Sequence, residues 1–147
     1  MGKKVHPLEP QAVEWPLLAL DVGQSRIGFA WTDQKGLVFP RGYMLRSNLG
    51  TDIETIREKM LQEGACMLVV GLPLRTDGKP SAQAQRVRAL GHALRLEGIP
   101  LFYQDERFTT QMARQDLGSK ASLGEIDAQS AVRILEMFVE RFLEPLE

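Results

Sequence analysis

Leu17-Leu-Ala-Leu-Asp-Val-Gly-Gln-Ser-Arg-Ile-Gly-Phe-Ala-Trp-Thr32 carries two strand signatures on either side of a turn. Leu17–Asp21 is a short apolar run ending in an acid, the pattern of a buried strand. Gly23 and Ser25 supply the turn. From Arg26 to Thr32, Ile27, Phe29 and Trp31 alternate with small or polar residues, the period of a second strand. Leu37–Leu45 reads as a third, and Pro40 with Gly42 assigns it to a sheet edge or a bulge. Three strands in this order make an antiparallel meander.

Beyond the meander the rhythm becomes helical. Ile53, Ile56 and Met60 recur at helical spacing, and Gly64 ends that helix. Cys66–Val70 is a fully apolar strand, in which Cys66 reads as inert core. Pro80 and Ser81 open a helix with Val87, Leu90 and Leu94 inward, and Gly98 stops it. Leu101–Tyr103 is a short strand and Thr109–Leu117 a short helix. In the last helix Ala128, Ala131, Leu135, Phe138 and Phe142 keep a spacing of three or four residues. Strands four and five, each reached through a helix, run parallel to the first. The fold class is therefore α/β, a mixed sheet with helices on its faces.

With 147 residues, 44% of them hydrophobic and 25% charged, the chain makes one ordinary domain. A domain of this size buries roughly 70% of its unfolded surface, so it needs no disulfide or structural metal. Eighteen Lys plus Arg against nineteen Asp plus Glu exclude a strongly basic coat but leave room for a local basic patch. One cysteine makes neither a disulfide nor a Cys-based zinc site. No apolar run approaches the ~20 residues of a membrane span. Pro7, Glu9 and Pro10 stand where a signal peptide needs apolar residues, and His6 breaks the myristoylation pattern. Residues 1–14 are expected to form a loose arm, 15–147 the single domain, and the cytoplasm is the expected location.

Three acids stand where elements end: Asp21 after the first strand, Glu106 after the fifth, and Asp127 at the opening of the last helix. In the expected sheet the first and fifth strands are parallel, so Asp21 and Glu106 share the rim where open α/β sheets place their active sites. Asp127 joins them if its helix starts at that rim. Gathered carboxylates repel one another and drive a proton onto one of them unless a cation intervenes. Oxygen-only donors suit Mg²⁺ or Mn²⁺ better than zinc. Three carboxylates with two divalent ions leave about one positive charge, and a pair of ions roughly 3.5–4 Å apart can activate water and stabilise a leaving oxygen. That is the chemistry of phosphodiester hydrolysis. Singly, each acid has an ordinary structural reading: Asp21 in a turn, Asp127 as a helix cap, Glu106 in a surface pair with Arg107 or Arg114.

The same residues lie in Ala19-Leu-Asp-Val-Gly…Arg26-Ile-Gly-Phe-Ala, Val69-Val-Gly-Leu-Pro-Leu…Asp77-Gly, Asp105-Glu-Arg-Phe-Thr-Thr and Ile126-Asp-Ala-Gln-Ser-Ala…Ile134-Leu-Glu. In these segments, from about Leu17 to Phe142, the chain resembles the YqgF/RuvX family of the RNase H-like superfamily, which includes proposed Holliday-junction resolvases and pre-16S rRNA processing nucleases. The resemblance implies an RNase H-like fold with a five-stranded mixed sheet and metal-binding catalytic acids at Asp21, Glu106 and Asp127. It assigns the middle role to Glu106, with Asp105 as the rival, because neighbours on an extended segment point opposite ways. The chain departs from the family pattern at Gln24, where a small hydroxyl residue is common, and at Arg75, where Asn often stands. Its loop from Gly118 to Ile126 has Lys120 as its one basic residue.

A nuclease needs cations beside its acids. Arg26, Arg75, Lys79, Arg107, Arg114 and Lys120 lie in or next to the motif segments and are the candidate phosphate contacts. Arg88, His92 and Arg95 read as a solvated helix stripe, and Glu136, Glu140 and Glu144 as an acidic one facing away from nucleic acid. The expected function is metal-dependent cleavage of structured nucleic acid, first in pre-16S rRNA processing and alternatively in cutting branched DNA, which calls for a two-fold homodimer. Two further classes compete. An ATP-binding protein of the actin and sugar-kinase type shares the Asp-x-Gly opening but needs two lobes, and a non-catalytic module could keep the same fold.

Overall fold

The computed structural model describes residues 12–74, 77, 79, 81–106 and 122–143. Five strands form one sheet: β1 (Leu17–Val22), β2 (Arg26–Thr32), β3 (Val38–Leu45), β4 (Met67–Leu72) and β5 (Leu101–Asp105). Their order is β3-β2-β1-β4-β5, with β1–β2 and β2–β3 antiparallel and β1–β4 and β4–β5 parallel. Three helices are described: α1 (Leu49–Glu63), α2 (Ala82–Leu96) and α3 (Leu123–Leu143).

Strand alternation sorts the core into two clusters. Leu18, Leu20, Ile27, Phe29, Leu68 and Val70 face α1 and α2, whereas Leu17, Ala19, Ala30, Met67 and Val69 face α3. Every strand residue thus belongs to one face by parity, a property that assigns the acids below. β3 is an edge strand, and its register shifts opposite Gly28–Ala30, so it is both an edge and irregular, as Pro40 and Gly42 require.

Helix ends follow local chemistry. Asn48 caps α1 by accepting from the Thr51 N–H at 2.8 Å, and Gly64 closes it at φ +65°, in the left-handed region. Ser81 caps α2 by accepting from the Ala84 N–H at 3.0 Å. At α3, Ser122 Oγ accepts from the Glu125 N–H at 3.1 Å while Glu125 reaches back to the Ser122 N–H at 3.4 Å, a capping box. Asp127 therefore does not open the helix. It stands in the second turn, and its cap reading falls away.

The fourth strand begins at Met67, one residue later than expected, and Cys66 ahead of it is exposed, not core. Val13 packs against the α3-side cluster. Residues 1–11 of the arm expected over 1–14, the expected helix over 109–117, the side chain of Phe142 and the candidate contacts Arg75, Arg107, Arg114 and Lys120 lie outside the described residues.

Candidate active site

Asp21 sits on β1 between two glycine positions of the neighbouring strands. On one side it pairs with Gly28 of β2. On the other, Asp21 and Gly71 each follow the last β1–β4 pair, Leu20↔Val70. By parity Asp21 points to the α3 face, since Leu20 and Val22 lie in the opposite cluster. An isolated glycine within a strand marks a close approach by something else, and here both do. A Cβ on Gly28 would lie 2.1 Å from the Asp127 carbonyl oxygen, so the α3 backbone rests directly on β2. A Cβ on Gly71 would lie 2.4 Å from Ile134 Cδ1 and 3.0 Å from the Glu106 carboxyl group, so Glu106 lies across bare β4 toward β1.

Parity also separates Glu106 from Asp105. Phe102 stacks on Phe138 of α3 with ring centroids 5.3 Å apart, and Gln104 accepts from Arg141 Nη1 at 2.7 Å. Even-numbered β5 residues therefore face α3. Glu106 continues that parity, anchored by its N–H to the Leu72 carbonyl at 3.1 Å, and is 8% exposed. Asp105 takes the other side.

Asp21 and Glu106 are hydrogen-bonded through their carboxyl groups. Burial raises the Asp21 pKa from 3.8 to about 6, the bond from Glu106 opposes the rise, and the Asp127 charge adds to it. Burial also pushes Glu106 well above the ordinary carboxyl range, and the Asp21 charge, the hydrogen bond to Asp21 and the Asp105 charge push it further. A hydrogen bond between two carboxyl groups needs one proton between them, and like charges in a low-dielectric site favour keeping it there.

Asp127 is the third acid of the cluster, close enough to act on Asp21 through its charge. Its Oδ2 accepts from Arg26 Nε at 2.5 Å. Arg26, a candidate phosphate contact, thus sets the direction of an acid. Among the described residues no three His, Cys, Asp or Glu side chains lie together closely enough to hold an ion as they stand. The donor chemistry nonetheless fits a hard cation: the three carboxylates supply oxygen only, and two of them meet at a hydrogen bond.

Lys79 is exposed, and its backbone N–H donates to Asp77 Oδ1 at 3.0 Å. The sequence did not reveal what steadies the loop after Asp21. Arg46 donates to the Gly23 carbonyl at 3.0 Å and to Asp52 Oδ2 at 3.2 Å, and the buried Asp52 also accepts from the Ser47 N–H at 2.8 Å. An acid in the first turn of a helix reads as a dipole partner, and nothing local marks this one as the anchor of a distant turn.

Residues 16–141 match the model of a family described as RuvX, Holliday junction resolvase. The chain belongs to the RuvX family. It is 50% identical over 125 residues to "Ribonuclease YqgF" of Deinococcus radiodurans, covering 85% of this chain and 88% of the relative. It is 43% identical over 130 residues to "Putative pre-16S rRNA nuclease" of Thermus thermophilus, covering 84% and 96%. Among solved structures, the T. thermophilus RuvC in complex with Holliday junction substrate superposes with a TM-score of 0.57 at 11% identity, over 88% of this chain and 97% of that one. That likeness shows the RNase H-like fold expected from the sequence. Membership of RuvX makes this chain a nuclease, and among its described residues no helix is long and apolar enough to cross a membrane.

Proposed function

We propose that this chain hydrolyses phosphodiester bonds in structured RNA, trimming the 5′ end of pre-16S rRNA, with Asp21, Glu106 and Asp127 as its catalytic, metal-binding carboxylates. The observation that carries the reading is the Asp21–Glu106 pair, two buried carboxyl groups, one on β1 and one just past the end of β5, hydrogen-bonded to each other beside Asp127. Burying acids together destabilises a fold, and such an arrangement marks a functional site. The names of the D. radiodurans and T. thermophilus relatives support an RNA substrate.

Two divalent ions, Mg²⁺ or Mn²⁺, held by these carboxylates would activate the attacking water and stabilise the leaving oxygen. The chain's own residues do the rest. Glu106 and Asp21 would both have to be deprotonated to hold the ions. The missing side chains of Gly28 and Gly71 let the α3 backbone and the Glu106 carboxyl group close in beside Asp21, and Arg26 fixes the direction of Asp127. Lys79, with Arg75, Arg107, Arg114 and Lys120, is proposed to hold the phosphate backbone without reading sequence.

The deciding assay incubates wild type and Asp21→Asn with precursor rRNA and with four-way junction DNA, each with Mg²⁺ or Mn²⁺. Wild type should cleave the RNA and the variant should not; equal cleavage by the folded variant removes Asp21 from the mechanism. The family description favours junction DNA as the second reading. Paired symmetric cuts in the DNA by a two-fold dimer would put that reading first.

A further inference from the structure

The cross-sheet row through the acids does not end at Gly28. Gly28 pairs in turn with Tyr43 of the edge strand, so Tyr43 lies on the same face as Asp21, two strands away and about 10 Å across the sheet. Its side chain is 52% exposed. Beside it, between β3 and the start of α3, is a cavity of about 380 Å³, walled by Pro40, Tyr43, Gly124 and Ala128 and rimmed by Glu125 and Gln129.

We propose that this cavity receives one unpaired nucleobase of the strand held at the acids, stacked on the Tyr43 ring. The proposal rests on the nuclease reading and adds a subsite to it. Three observations select this occupant. First, the ring is seated: a Cβ on Gly124 would fall 2.3 Å from Tyr43 Cε1, so the helix carries glycine in its first turn, against its own propensity, where the ring packs. A ring backed by a helix on one side and open on the other is a stacking platform, usable by any base. Second, among the described residues lining the cavity Glu125 is the one charged side chain. A carboxylate there repels phosphate, whereas Glu125 and Gln129 oxygens accept from exocyclic base amines. Third, the position is continuous with the acidic row, within reach of a nucleotide next to the one being cut.

The test uses the full chain in EDTA, so that binding is read without cleavage. An RNA hairpin carrying 5-iodouridine at one unpaired position, and the same hairpin as DNA, are titrated and then irradiated. Wild type should crosslink at Tyr43, found by peptide mass spectrometry. Tyr43→Ala should bind the hairpins about tenfold more weakly, and Tyr43→Phe like wild type. A fully paired duplex should bind wild type and Tyr43→Ala equally. Ala128→Leu, which fills the cavity and leaves the ring, should reproduce the loss, and thermal melts confirm that each variant is folded. Crosslinking elsewhere, or unchanged hairpin affinity in both folded variants, overturns the proposal. So does a wild-type dimer in sedimentation that Tyr43→Ala dissociates with hairpin binding intact, since a second copy then owns the surface. Asp21→Asn keeps the crosslink in either case, so loss of the subsite and loss of the acidic-site assignment read separately.

Discussion

Replacing Asp21 by Asn removes an acid that the fold accommodates only by holding a proton between it and Glu106, and in the metal-free protein this stabilises the chain. The Asp21 pKa is raised from 3.8 to about 6, first by burial. Between those values the native state binds more protons than the unfolded chain, so wild-type stability falls as pH rises through the window. A shift of about two units corresponds to about 3 kcal/mol at pH values above it. Part of the side chain reaches solvent, which screens the effect to about 1–3 kcal/mol. Urea unfolding in EDTA should therefore show equal stability for wild type and Asp21→Asn near pH 4. An advantage of the variant should open through pH 6 and level off above it, while its cleavage activity is absent at every pH. A variant no more stable than wild type at pH 7.5, or an advantage independent of pH, would refute the shared-proton account.

Three further outcomes follow from the geometry. Binding of Mg²⁺ near pH 6 should release about one proton, measured by calorimetry in buffers of different ionisation enthalpy, and apparent affinity should rise with pH because Asp21 and Glu106 are both held above the ordinary range. Gly71→Ala should lose about 1–3 kcal/mol through its clash with Ile134 and Glu106, and adding Ile134→Val should recover part of the stability but not the activity, a double-mutant cycle read by urea unfolding and cleavage. Asp52→Ala should lose about 3 kcal/mol in the same unfolding assay, because it leaves Arg46 facing the Gly23 turn without its buried partner.

The strands and helices were legible because periodicity is local. Ile27, Phe29 and Trp31 fixed the second strand from residue to residue, and Ser81 and Gly64 marked helix ends through their own backbone preferences. The convergence of Asp21, Glu106 and Asp127 was legible only by combining sheet order with strand ends. Which of Asp105 and Glu106 faces α3 follows from parity only with the length of β5 known, since a strand ending at Tyr103 does not fix which way residue 106 points. The start of α3 was misplaced because Ser122-Leu-Gly-Glu125 is a capping signal that a candidate catalytic acid a few residues later overshadowed. The roles of Gly28, Gly71 and Tyr43 depend on what sits across from them, and that is a property of register.

α3 begins over Tyr43 of β3, rests on Gly28 of β2, presses Ile134 onto Gly71 of β4 and ends with Arg141 on Gln104 of β5. One rod thus spans the sheet from edge to edge, and the turn that presents Asp127 is continuous with the turns that seal half the apolar interior. Heat cannot slacken that carboxylate alone; detaching it means lifting the rod, and lifting the rod floods the α3-side cluster. Thermal inactivation and global melting should consequently trace one curve, leaving no temperature at which the protein is intact yet catalytically disarmed.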